Sequence, residues 1–155
     1  MKKIIYLFMM TSLTVVSCKK DESYSTIELL TRSPWIITSS VIDPPLVLGD
    51  ATIYDEYTLW SDCIKDDLWT LNSGGTFFKN EGETKCDPNY YDVWDMGMWA
   101  LSQDEKSLYE YMMLNSVDFI EYEIIQLSTS EMQLKYYFYS DSVTVHSVTR
   151  TYKHP

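Results

Sequence analysis

Phe119-Ile120-Glu121-Tyr122-Glu123-Ile124-Ile125-Gln126-Leu127, Ser128-Thr129-Ser130-Glu131 and Met132-Gln133-Leu134-Lys135-Tyr136-Tyr137-Phe138-Tyr139 follow one another without a gap. In the last of these runs Met132, Leu134, Tyr136 and Phe138 alternate with polar Gln133 and Lys135. A period of two gives a strand one buried and one wet face, and a one-residue slip would exchange them. The small polar residues between the runs supply a hairpin connection, so paired strands are predicted over 119–127 and 132–139. A turn at Asp141-Ser142 then leads into a further strand, Val143 to Tyr152.

The same rhythm extends upstream. Gly97–Leu101 and Leu108–Leu114 flank the polar loop Ser102-Gln103-Asp104-Glu105-Lys106. Asp67–Asn72 and Thr76–Asn80 flank Asn72-Ser73-Gly74-Gly75, where glycine accommodates the positive φ of a tight turn. A first strand is predicted from Trp35 to Ile42, ended by Asp43-Pro44-Pro45 because proline cannot donate to a ladder. Ahead of it, Ser25 and Glu28 have capping-box spacing, which predicts a short N-terminal helix to about Ser33, stopped by Pro34. Residues 46–66 have no clean period, although Glu56 to Ile64 suits a helical turn, and 81–92 reads as a loop. About eight short strands at regular spacing make the fold class all-β, an antiparallel barrel or sandwich. Around Trp94–Leu101 both faces are apolar, with Gly97, Trp99 and Leu101 on one and Trp94, Met96 and Met98 on the other. Either the second face packs under a loop or the helix, or it is an exposed contact patch.

A chain of 155 residues is one ordinary domain. Its 23 acidic against 12 basic side chains give a formal charge of −11, which argues against nucleic acid as a partner, since phosphate binding draws on clustered Lys and Arg. Five Trp and 13 Tyr are far too many for a disordered acidic tail.

Lys2 and Lys3, an apolar run from Ile4 to Val16 and a small residue before Cys18 have the organisation of a bacterial secretion signal. The apolar run falls short of the roughly 20 residues a membrane-spanning helix needs. Val15-Val16-Ser17-Cys18 resembles a lipobox, at which the cysteine is acylated and becomes the new N-terminus; an ordinary signal peptide with Cys18 incidental is the plainer alternative. The expected organisation is a lipoprotein signal peptide over 1–17, an acylated charged tether over 18–25 and a folded domain over 26–155. Several acyl chains anchor stably where one would be marginal. Lys19-Lys20-Asp21-Glu22 resembles the export signal that follows the lipidated cysteine in Bacteroidetes surface lipoproteins, which implies an outer-membrane protein displayed on the cell surface. A solvated linker on a periplasm-facing anchor is the alternative.

With Cys18 assigned to lipid, Cys63 and Cys86 remain as an even pair in an oxidising compartment, and a disulfide is expected. A nucleophilic or metal-binding thiol would need a nearby His or a second cysteine pair, and neither His146 nor His154 is close in sequence.

Cys63-Ile64-Lys65-Asp66-Asp67-Leu68-Trp69-Thr70-Leu71-Asn72-Ser73-Gly74-Gly75-Thr76-Phe77, then Lys85-Cys86-Asp87-Pro88, then Gly97-Met98-Trp99-Ala100-Leu101-Ser102, resemble the lipocalin-like domain of Bacteroidetes lipoproteins. The order of Trp35, Tyr122–Leu127, Met132-Gln133-Leu134 and a closing strand through Thr149 and Tyr152 fits as well. The resemblance spans nearly the whole domain and implies a small up-and-down β-barrel with its two cysteines bridged, not a catalytic machine. Arg32-Ser33-Pro34 and the aromatic-rich 89–96 depart from the family pattern at the barrel entrance.

No nucleophile elbow, zinc-protease motif, P-loop or dinucleotide fingerprint occurs, so no catalytic residues and no cofactor are assigned. Asp62, Asp66 and Asp67 beside Cys63, with Asp87, Asn89, Asp92 and Asp95 beside Cys86, are oxygen donors of the kind calcium uses, but the spacing matches no EF-hand and no metal site is assigned. Trp60, Trp69, Trp94, Trp99, Tyr90 and Tyr91 flank or lie within the disulfide loop, and at a barrel mouth they would suit a small hydrophobic ligand or a sugar ring. Filling the barrel core is the competing role, since eight strands leave little interior space. The expected function is a non-enzymatic, lipid-anchored binding protein of the cell envelope. The alternative is a protein-binding or inhibitor module using an acidic rim and the Trp94, Met96, Met98 face.

Overall fold

The computed structural model describes residues 23–112 and 119–155. The secretion signal, Cys18, the Lys19–Glu22 run and the end of the segment 108–114 lie outside the described residues.

The chain opens on helix α1, Thr26–Thr31. Ser25 caps it: its hydroxyl accepts from the Glu28 N–H at 3.2 Å while the Glu28 carboxylate accepts from the Ser25 N–H at 2.7 Å. Nine strands follow: β1 Ile36–Leu48, β2 Ala51–Asp55, β3 Leu68–Leu71, β4 Thr76–Asn80, β5 Val93–Leu101, β6 Ser107–Met112, β7 Phe119–Leu127, β8 Glu131–Tyr139 and β9 Val145–Lys153. Between β2 and β3 lie a 3₁₀ turn, Glu56–Leu59, and a one-turn helix α2, Asp62–Lys65. No described helix is long and apolar enough to cross a membrane.

The strands form one antiparallel sheet in the order β2-β1-β9-β8-β7-β6-β5-β4-β3. β3 to β9 are therefore a meander in chain order, and β1 returns beside β9. The turns are fixed by local chemistry. The Ser128 hydroxyl donates to the Glu131 carbonyl and accepts from the Glu131 N–H, both at 3.0 Å, closing the β7–β8 hairpin. Gly75 supplies φ +79° in the β3–β4 turn.

Two sequence expectations are corrected. The sheet has nine strands and is not closed into a barrel of eight: among the described residues its two sides are bridged only where Trp35, just ahead of β1, and Trp69 of β3 exchange two backbone hydrogen bonds of 2.9 and 2.8 Å. The extra strand, β2, comes from the aperiodic stretch after the prolines. Nor do the prolines end β1. Its pairing with β9 runs out at Asp43, opposite Ser147, and its pairing with β2 shifts register between Val41 and Leu46. Pro44 and Pro45 fall in that irregularity, where no N–H is required of them. The Asp43–Pro44 bond is cis.

The core lies on one face of the sheet. Trp69 and Leu71 of β3, Phe77 of β4, Trp99 of β5, Met132 and Leu134 of β8 and Tyr152 of β9 pack there with Leu30 of α1 and with Trp35. Each is two positions from the next inward residue of its strand, as alternation requires. Gly97 is the inward position of β5 beside Phe77, where a Cβ would lie 2.7 Å from the Phe77 ring and collide with the Tyr111 carbonyl. His146 is buried between Phe138, Pro44 and Ser140: its Nδ1 donates to the Pro44 carbonyl at 2.6 Å, and its Nε2 is hydrogen-bonded to the Ser140 hydroxyl at 2.8 Å.

Candidate functional site: a tryptophan-lined cavity at the sheet mouth

A cavity of about 200 Å³ opens beside α2, lined by Trp35, Trp60, Trp69, Trp94 and Tyr152, with Ile37, Ile64, Leu68 and Tyr122, and by the ionisable Asp67, Lys79, Glu110 and Arg150. The inward positions of β4, β6 and β9 carry the charges: Lys79 lies two residues after Phe77, Glu110 two after Leu108, and Arg150 between Val148 and Tyr152. Burying charge is costly unless it is paired, and each of these is. The Lys79 ammonium lies 2.5 Å from the fully buried Glu110 carboxylate and 3.1 Å from Asp95. The Tyr122 hydroxyl donates to the other Glu110 oxygen at 3.2 Å, and burial raises its pKa well above the phenol range, which keeps it a donor. Arg150 donates to Glu56 at 2.9 Å, to the Tyr136 hydroxyl at 3.1 Å and to Ser40 at 3.3 Å, and Ser40 in turn donates to Glu56 at 2.6 Å.

These cations also sit over the aromatic walls. Lys79 Nζ lies 5.6 Å from the Trp69 ring centre and 5.8 Å from that of Trp94, and the Arg150 guanidinium 5.7 Å from Trp60. Such contacts orient the rings as well as stabilising the charge.

Residues 56–66 cover the mouth and are tied down at both ends. Glu56 is held by Arg150, and Cys63 in α2 is joined to Cys86 by the expected disulfide. The loop carrying Cys86 is fitted to this cap: Gly82 approaches Asp66 so closely that a Cβ would overlap its carbonyl, and the Thr84 N–H donates to the Asp66 carboxylate at 2.8 Å. Replacing both cysteines by alanine should lower stability by about 3 kcal/mol, the chain-entropy value for a loop of this length, as urea unfolding would measure. A loss under about 1 kcal/mol would mean that the cap is held by its other contacts alone.

Asp67 is the perturbed carboxyl of the mouth. Burial, then the charges of Glu81 and Asp66, push it up to about 6, and hydrogen bonds from Trp94 and Gly82 work in the opposite direction. Between its ordinary value of 3.8 and about 6 the folded chain holds a proton that the unfolded chain releases, so this group lowers stability as pH rises through that window. Asp67→Asn should remove that slope. Urea midpoints from about pH 4 to 7 should show the variant gaining on the native chain as pH rises, whereas parallel profiles would assign the slope elsewhere.

Two polar groups at the cavity have no hydrogen-bond partner among the described residues: the indole Nε1–H of Trp69, a residue 4% exposed, and Oδ1 of Asp67. Trp99 and Trp35, by contrast, donate to the Asn72 carbonyl at 3.0 Å and the Leu30 carbonyl at 2.9 Å.

Of the six aromatics singled out in the sequence, Trp60, Trp69 and Trp94 meet at the cavity. Trp99 is packed into the core away from it, and Tyr90 and Tyr91 are exposed on the 81–92 loop. Trp94 reaches the mouth because the β4–β5 ladder shifts register between Lys79 and Asn80, pairing Lys79 with Asp95 and Asn80 with Val93 and leaving Trp94 in a bulge. A bulge re-aims the extra side chain, so Trp94 leaves the face it would share with Met96 and Met98. Those two methionines are 52% and 57% exposed, without cover from a loop or helix among the described residues. Across the ladder Met98 faces Tyr111, which faces Phe119, and the rings of Tyr109, Tyr111 and Phe119 cluster at 5.7 to 6.4 Å.

Lys79, Glu110 and Arg150 are not singled out in the sequence, and Trp35 is read there as the start of a strand rather than as a site residue. The available signal was a charged residue at an inward position of an alternating strand. No group of three or more His, Cys, Asp or Glu side chains among the described residues is placed to hold a metal ion.

Compared with protein-family models and with curated proteins, the chain matches none.

Proposed function

We propose that this chain is a non-enzymatic binding protein of the cell envelope, anchored by lipid at Cys18 and displayed at the outer membrane, that takes a small hydrophobic or glycan ligand at one end of a lipocalin-like sheet. The observation that carries the reading is the aromatic cavity under the disulfide-pinned cap. Concave sites with apolar walls and a few convergent polar groups are where small ligands bind. The Trp35–Trp69 bridge, which draws the chain ahead of β1 to β3, supports a concave site at that end of the open sheet. Mutual neutralisation of Lys79 with Glu110 and of Arg150 with Glu56 supports a structural use of the charges rather than acid–base chemistry. The resemblance of residues 63–102 to the lipocalin-like domain of Bacteroidetes lipoproteins points the same way, and as an argument from fold it is analogy.

A thermal-shift screen with fatty acids, sterols and oligosaccharides tests the reading: at least one class should raise the melting temperature, and no shift with any would overturn it. Labelling with radioactive palmitate, lost in Cys18→Ala, tests the anchor.

Exposed Met96, Met98 and Phe119, with half-buried Tyr111 between them, favour a second reading, a protein-binding module, in which the patch rather than the cavity is the working site. Recovery of the same envelope partners by native protein and by Met98→Asp would dismiss it.

A further inference from the structure

If the chain binds a small ligand, as proposed, the cavity itself narrows the ligand class, and the narrower assignment rests on that binding role. Its volume of about 200 Å³ lies below the roughly 300–1,000 Å³ of sites that enclose drug-sized ligands, so it encloses one ring-sized group rather than a whole acyl chain or a sterol. Its charge is equally restrictive. Lys79 is already matched by Glu110 and Asp95, and Arg150 by Glu56, so neither cation lining the cavity remains for a carboxylate or phosphate. Asp67 adds a further carboxyl, which disfavours an anion again.

The walls offer flat aromatic surface from Trp60, Trp69 and Trp94 together with one unsatisfied donor, Trp69 Nε1–H, and one unsatisfied acceptor, Asp67 Oδ1. An unpaired buried polar group costs free energy that a ligand recovers by pairing with it. A purely hydrocarbon ligand would leave both unpaired. A hydroxyl both donates and accepts, so the several hydroxyls of a sugar offer a partner to each while the C–H face of the ring lies on tryptophan.

We infer that the cavity is a subsite for a single neutral sugar ring, the terminal residue of a glycan, with Asp67 accepting from one hydroxyl, Trp69 Nε1 donating to another, and Trp94 at the mouth stacking on the ring. The exposed position of Trp94 beside the opening leaves a path for the rest of the glycan to trail into solvent.

Calorimetric titration of the full secreted domain tests this, with the methyl glycosides of glucose, galactose, mannose and N-acetylglucosamine as one set of probes and octanoate as the other. At least one glycoside should bind and octanoate should not. Asp67→Ala and Trp94→Ala, both at the rim, should each weaken that binding about tenfold or more, the scale of one charge-assisted hydrogen bond or one lost stacking surface, while Tyr91→Ala on the exposed loop leaves it unchanged. Octanoate binding without any glycoside would overturn the sugar assignment and leave the broader reading standing. Binding of neither would overturn the sugar assignment, and the broader reading with it if no fatty acid, sterol or oligosaccharide shifts the melting temperature. Glycoside binding that neither rim variant alters would overturn the placement.

Discussion

Replacing Trp35 with alanine is expected to lower the unfolding free energy by about 4 kcal/mol, in the range for a buried tryptophan truncated to a methyl group. Three independent contacts converge on it. The side chain is fully buried, its Nε1 donates to the Leu30 carbonyl at the end of α1, and its ring lies 3.9 Å from that of His154. Its backbone also makes the only bridge among the described residues between the two ends of the sheet order. Alanine keeps the bridge's backbone groups but removes the packing that holds them together, so α1, the C-terminal strand and β3 should loosen together. Trp35→Phe, which keeps most of the volume and loses the hydrogen bond, should cost about 2 kcal/mol. Urea unfolding followed by far-UV dichroism would measure both, and a loss under about 1 kcal/mol for the alanine variant would show that the two ends of the sheet are held by other contacts.

Lys79→Met is the second large effect. Glu110 is fully buried, and its charge is matched by the Lys79 ammonium with one hydrogen bond from Tyr122. Removing the cation leaves an uncompensated buried carboxylate, for which about 3 kcal/mol is expected. Attraction between the pair is not the same as net stabilisation, because both ions were desolvated on folding. Adding Glu110→Leu to Lys79→Met should therefore recover most of the loss, as apolar replacements of buried pairs commonly do. A double variant less stable than Lys79→Met alone would mean that Glu110 contributes through contacts other than Lys79.

These charges also mark where the sequence stops being informative. Strands β8 and β9 are legible because side-chain alternation is uninterrupted there: Met132, Leu134 and Tyr136 leave only one face for the core, whereas the β7 ladder shifts register between Ile124 and Gln126. The helix α1 is legible because Ser25 and Glu28 carry a capping pattern that acts locally. At Pro44-Pro45 the same reasoning fails. A proline ends a strand only if the ladder asks its nitrogen for a hydrogen, and whether β1 is bulged at that point depends on β2, a partner whose own five residues show no period. Trp94 fails for the related reason that one inserted residue inverts the face assignment.

The candidate site was half legible. Aromatic density around the two cysteines points to the end of the sheet where Trp60, Trp69 and Trp94 line the cavity. Composition could not separate them from Trp99, which sits on the same face of its strand but finds the Asn72 carbonyl and the core instead. Nor could sequence show that Trp69 lacks a hydrogen-bond acceptor, since that depends on which strands surround it. The polar half of the cavity was readable in principle from Lys79, Glu110 and Arg150 at inward positions, because a charge on a buried face requires a partner across the sheet.

The most direct test of a sugar-binding cavity is the set of five tryptophan indole N–H signals in a nitrogen–proton correlation spectrum, tracked as the methyl glycosides are added. The Trp69 signal should move most, with smaller shifts at Trp60 and Trp94, while Trp99, already bonded to Asn72, stays in place. Stationary Trp69, Trp60 and Trp94 signals at saturating glycoside, or a response confined to Trp99, would contradict the account.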